Sequence, residues 1–150
     1  MFYDCIWRSV MPETQEKPVG LTRDVGWQIG ARRTLDVGLE EAWEWLISQD
    51  GVLAWLGEPE ELIFEVGQDY SLADGSYGEI RVFKPNSHLR MTYQPGGWSR
   101  PSTIQVRVMA RKDRTSIIFH EEHLPDAEAR QQRRQHYFNA LDVTEEWVES

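Results

Sequence analysis

Cysteine is nearly absent: Cys5 is the only one in 150 residues. No intramolecular disulfide can form, a cysteine-rich metal site is excluded, and a reducing cytoplasm is the expected compartment. Long apolar runs are also missing. None approaches the roughly 20 residues that span a bilayer, so no membrane insertion is expected. Positive charge is scarce, with 16 basic against 25 acidic residues and a formal net charge of −9. No lysine or arginine lies between Arg33 and Arg81. A nucleic-acid binder neutralises phosphates with a basic face, so that class is set aside. Nor is an export signal expected. Met1 to Val10 is apolar and aromatic, but Asp4 and Arg8 interrupt it and no small-residue cleavage site follows. Met11-Pro12 reads as an ordinary start, so residues 1–10 are expected to be an upstream, non-native extension. Pro18 and Gly20 mark a linker, giving an irregular N-terminal stretch over 1–26 and a single domain over 27–150.

The domain begins with a period-two pattern. Trp27, Ile29, Ala31, Leu35 and Val37 alternate as one buried strand face, with Arg33 in the same phase. Gly38 breaks the strand. Leu39, Ala42, Trp43, Leu46 and Ile47 then recur at three and four, a short amphipathic helix with Glu40, Glu41 and Glu44 toward its N-terminal half. A second short helix is expected over Val52 to Leu56, ending at Gly57. The strand patterns Phe64 to Leu72 and Tyr77 to Phe83 flank Asp74-Gly75, a strong hairpin signal. Three more strands follow around Leu89 to Tyr93, Ile104 to Val108 and Thr115 to Leu124. Pro125-Asp126 opens a long last helix with an apolar stripe at Tyr137, Leu141, Thr144 and Val148. The order predicts an α+β domain. Five strands joined by short turns make an antiparallel sheet, and the C-terminal helix is the one element long enough to cover a face of it.

The stretches Arg33-Thr34-Leu35-Asp36, Glu41-Ala42-Trp43-Glu44-Trp45-Leu46 and Leu53-Ala54-Trp55-Leu56-Gly57 resemble the opening of the heat-shock protein 90 ATPase activator-like branch of the START-like (SRPBCC) superfamily. Asp74-Gly75 to Ile80 and Leu89 to Gln94 are similar to its central hairpin. Thr115 through Leu124-Pro125 and Tyr137 to Leu141 resemble its last strand and C-terminal helix. The resemblance covers about Trp27 to Val148 and implies a helix-grip fold: a curved antiparallel sheet around a long C-terminal helix, with a cavity beneath it. The fold hosts several functions, so function has to come from the site.

Trp55, Tyr93, Trp98, Phe119, Tyr137 and Leu141 are the candidate ligand-binding residues. Aromatic rings supply contact area, tyrosine hydroxyls can orient a polar group, and Trp98 lies in a loop able to close over a cavity mouth. The expected partner is a small apolar or amphipathic molecule, with a homodimer as a further option. Two other classes compete. A co-chaperone-like or stress-related interaction domain would have a filled core and a functional outer surface. A cyclase- or hydrolase-type enzyme would use a cavity acid, with Glu121 in phase with Ile117 and Phe119 as the candidate and Arg33 as its partner. No Gly-x-Ser-x-Gly elbow or phosphate-binding glycine loop is present, and no cofactor is expected. His120 and His123 are three apart in a strand and so point to opposite faces, unlike the four-apart pair of a zinc helix; no metal is expected. Arg130, Arg133 and Arg134 read as a solvated basic face. Trp45, off the apolar face of its helix, reads as exposed or as a contact for the N-terminal segment or another subunit.

Overall fold

A computed structural model describes residues 20–22 and 26–150 of the chain, so the expected upstream extension lies outside the described residues. The elements in order are β1 (Leu21–Thr22), β2 (Gly26–Leu35), α1 (Leu39–Ile47), α2 (Gln49–Trp55), β3 (Pro59–Glu61), β4 (Asp69–Leu72), β5 (Tyr77–Lys84), β6 (His88–Tyr93), β7 (Ser102–Arg111), β8 (Arg114–Leu124) and α3 (Ala127–Glu149). The strands form one antiparallel sheet in the order β1-β2-β8-β7-β6-β5-β4-β3. Chain-neighbour strands pair from β3 to β8. The first long strand joins the last one, because α1 and α2 carry the chain across to the far edge. This is the helix-grip arrangement, with α3 packed against β2, β8 and α2.

Two details depart from the alternation. The expected strand over Phe64 to Leu72 is regular only at Asp69–Leu72; Phe64 instead stacks on Phe83, with ring centroids 5.5 Å apart. The last strand carries a bulge. Trp27 pairs with Leu124 and Ile29 with Glu121, so the segment between them holds one extra residue on β8. His123 takes up the irregularity in left-handed backbone, φ 65°. Ile117, Phe119 and Glu121 face inward by simple alternation, and the bulge then turns Leu124 inward as well.

The helices are placed by local chemistry. Ser48 ends α1 and caps α2, its hydroxyl accepting from the Gly51 amide at 3.1 Å. Only glycine fits at position 51, since a Cβ there would lie 1.8 Å from the Trp45 carbonyl oxygen. That close approach sets Trp55 over the core, where its indole N–H donates to the Leu46 carbonyl at 2.7 Å. Asp126 caps α3 by accepting from the Ala129 amide at 2.7 Å. The buried stripe of α3 is Ala129, Arg133, Tyr137, Ala140, Leu141 and Thr144. It extends the expected stripe two turns toward the N-terminus, and that extension carries an arginine inward. Each fully buried large apolar side chain in the core stabilises the fold by about 1.5–3 kcal/mol. Among the described residues no helix is long and apolar enough to cross a membrane.

Candidate functional site

The centre of the space between sheet and helix is polar. Glu121, from the inward face of β8, is fully buried. Arg133 and Tyr137, one turn apart on α3, both reach it. Arg133 Nε donates to Glu121 Oε1 at 2.7 Å, and the Tyr137 hydroxyl donates to the same oxygen at 2.7 Å. Arg133 Nη2 donates to the Tyr137 hydroxyl oxygen at 3.1 Å. Ser102, at the start of β7, donates its hydroxyl to Glu121 Oε2. Both carboxylate oxygens are therefore satisfied, as a buried charge requires. Burial pushes the Tyr137 phenol well above its ordinary pKa, so it stays a donor. Burial also opposes the charge on Arg133, but Tyr137, Glu121 and Tyr93 around it outweigh that and hold its pKa above the ordinary value.

Aromatic rings extend from this cluster in both directions. Trp55 lies 6.2 Å from Phe119, and Phe119 stacks on Tyr137 at 5.0 Å. The guanidinium carbon of Arg133 sits 5.0 Å from the Tyr137 centroid and 4.5 Å from that of Tyr93. Trp98, from the loop between β6 and β7, meets Tyr93 edge-on at 5.9 Å. Five of the six candidate residues thus form one row, Trp55–Phe119–Tyr137–Tyr93–Trp98, and Arg133 is the link across its middle. Leu141, the sixth, is buried one turn further along α3. An open cleft of about 330 Å3 between Tyr77, Glu79, Gln94 and Pro101 contains none of the six.

Sequence reasoning paired Glu121 with Arg33; the structure pairs it with Arg133. Arg33 is in the inward phase of β2 but lies where the C-terminal half of α3 passes, and it donates to Asp142 at 2.8 Å and Glu145 at 2.9 Å. The basic cluster at the start of α3 is not one solvated face either. Arg130 Nε donates to the Gln28 carbonyl at 2.7 Å, the Arg134 guanidinium lies 4.8 Å over Phe138, and Arg133 is buried. Arg133 sits four residues before Tyr137, in line with its stripe, but among Arg130, Arg134 and three glutamines that spacing reads as solvated surface. Trp45 is half-buried against its own chain, its indole N–H donating to Thr144 Oγ1 at 3.0 Å and its ring stacked on Trp147 at 4.8 Å. His120 Nε2 lies 2.9 Å from Gln28 Oε1, and His123 occupies the bulge.

Chemically, the cluster positions a polar group at the heart of an aromatic row. A carboxylate already holding three donors is anchored rather than poised to accept a substrate proton. The remaining capacity of the cluster is that of a donor.

The family model described as Activator of Hsp90 ATPase homolog 1-like protein matches residues 36–147. No curated protein sequence matches the chain. Solved structures of the same fold include CalU16 from Micromonospora echinospora, at 18% identity and TM-score 0.71, covering 81% of this chain and 75% of that one. The Aha1 dimer from Colwellia psychrerythraea matches at 13% identity and TM-score 0.68, covering 81% and 96%. PFC0360w, an HSP90 activator from Plasmodium falciparum, matches at 16% identity and TM-score 0.65, again covering 81% and 96%. At these identities the likeness concerns the fold.

Proposed function

The chain belongs to the Activator of Hsp90 ATPase homolog 1-like family, and we propose that within that fold it is a binding domain for a small hydrophobic or amphipathic molecule held between the sheet and α3. One observation carries this reading: the buried Glu121–Arg133–Tyr137–Ser102 cluster in the middle of the aromatic row. A buried ion pair contributes little net stability compared with apolar packing of the same volume. Its placement among aromatic side chains suits the recognition of one polar group on an otherwise apolar molecule. Native mass spectrometry of the purified protein, after exposure to a small-molecule extract of its source cells, tests the proposal. The expected result is a discrete low-mass adduct that disappears in Leu141→Trp while the far-ultraviolet circular dichroism is unchanged. Absence of any adduct would overturn it.

A protein-interaction role is the second reading, favoured by the closeness of the packing. Trp55, Phe119 and Tyr137 are at most 1% exposed and already in ring contact with one another. In that reading the outer surface acts and the core serves stability. The Colwellia psychrerythraea neighbour is titled a dimer. Self-association of this chain is checked by light scattering on a size-exclusion column.

A further inference from the structure

The geometry points to Arg133 Nη1 as the recognition point of the site, and to a neutral carbonyl oxygen, on an apolar chain, as what it receives. This deepens the ligand-binding reading above and rests on it.

Two of the guanidinium nitrogens are taken. Nε is held by Glu121 and Nη2 by Tyr137. Nη1 makes no hydrogen bond to any described residue. Nor is it sealed in: among the described residues, Trp43 Nε1 is the one fully buried side-chain nitrogen or oxygen without a partner. The arginine side chain keeps 10% of its surface exposed, and Nη1, unpartnered and not fully buried, belongs to that exposed part. The cation is otherwise clamped, with the Tyr93 and Tyr137 rings against it and Trp98 edge-on to Tyr93. A group arriving at Nη1 meets a donor of fixed direction, whose ordering cost was met on folding. The two rings beside it, Tyr93 and Trp98, offer apolar contact to the rest of the molecule.

Charge counting selects the acceptor. The positive charge of Arg133 is already matched by Glu121. A carboxylate ligand would add an uncompensated negative charge beside the Glu121–Arg133 pair, within a chain of net charge −9. In a low-dielectric setting that repulsion offsets the hydrogen bond. A ketone, ester or amide oxygen accepts the same hydrogen bond without that repulsion.

The test compares methyl octanoate, octanoate and octane by calorimetric titration of the whole protein. The ester is expected to bind about tenfold tighter than octane, the factor one hydrogen bond from a charged donor supplies, and tighter than octanoate. Glu121→Leu/Arg133→Met removes both charges together, an exchange that folded proteins tolerate. That variant is expected to lose the preference for the ester over octane. Equal binding of ester and octane by the unaltered protein would overturn the role of Arg133 and leave the pocket standing. Octanoate binding as tightly as the ester would overturn the charge argument. An ester preference that survives in the double variant would place recognition elsewhere. Failure of all three probes to bind would remove the pocket reading itself.

Discussion

The two halves of α3 are fastened to the sheet by the same kinds of group in opposite surroundings. In the N-terminal half, Arg133 and Tyr137 grip Glu121 out of reach of water. In the C-terminal half the charges are reversed in position: β2 supplies the cation, Arg33, and the helix supplies Asp142 and Glu145, whose side chains are 66% and 40% exposed. Trp45 adds a hydrogen bond to Thr144 and a stack on Trp147 there. Hydrogen-bond lengths in the two fastenings are nearly equal, so geometry does not separate them. Solvent does. Where water can replace a lost partner, an ion pair is worth little; where it cannot, the surviving partner is stranded.

The largest effect should come from breaking the inner fastening on one side. Arg133→Met leaves Glu121 charged and buried with only two hydroxyl donors, and is expected to cost about 3–5 kcal/mol. Urea unfolding monitored by circular dichroism measures it. The double change Glu121→Leu/Arg133→Met should recover most of that loss. A double variant no more stable than Arg133→Met alone would mean that the pair itself, rather than the stranded carboxylate, holds the helix. Tyr137→Phe comes next. It keeps the ring stacked on Phe119 and removes one of the three donors to the carboxylate, with an expected cost of about 1.5–3 kcal/mol. A cost below that range would show that Ser102 and Arg133 alone suffice.

The same contrast explains what could be read from the sequence. Element order, both short helices, the Asp74-Gly75 hairpin and the covering helix follow from periodicity and turn chemistry, which are local. Trp55, Tyr93, Phe119, Tyr137 and Leu141 were legible as inward-facing because they are apolar in an inward phase. Glu121 was legible too, by phase with Ile117 and Phe119. Its partner was not. Arg33 shares the phase of its strand, and Arg133 lies among Arg130, Arg134 and three glutamines, a setting that reads as solvated surface. Which arginine reaches the carboxylate depends on where α3 crosses the sheet, a long-range fact that no local pattern carries. The bulge at His123 and the turn structure between Ile63 and Gln68 were missed for a related reason: each breaks an alternation that the residues themselves would allow.

A pH titration probes the boundary between the two environments. His136 sits on α3 beside the inner cluster, its Nε2–H donating to the Trp55 carbonyl at 2.5 Å and its ring edge-on to Tyr137 at 5.3 Å. Burial, with Arg133 nearby, pushes its pKa below the ordinary 6.5. His120, half-buried on β8, is pushed the same way by its partial desolvation. For such groups the unfolded chain takes up protons first as pH falls. Their contribution is therefore fully present above about 6.5 and declines as pH drops through the window beneath that value. Stability measured by urea unfolding should fall on going from pH 7 to pH 5, and His136→Asn should flatten that slope. An unchanged slope would assign the acid sensitivity to groups other than His136.

The smallest effect is expected at the outer fastening. Arg33→Met removes a cation that Asp142 and Glu145 hold by hydrogen bonds, and those bonds raise its pKa above the ordinary value. Both acids keep access to water, so neither is stranded, and the expected loss is at most about 1 kcal/mol. Salt separates this site from the inner one. At 1 M salt the screening length falls to about 3 Å, and the difference between Arg33→Met and the unaltered protein should shrink toward zero. The Arg133→Met deficit should persist at the same salt, because ions do not enter the core. If the two deficits respond to salt alike, then ions and water reach the Glu121 carboxylate itself, and its burial does not isolate it from solvent.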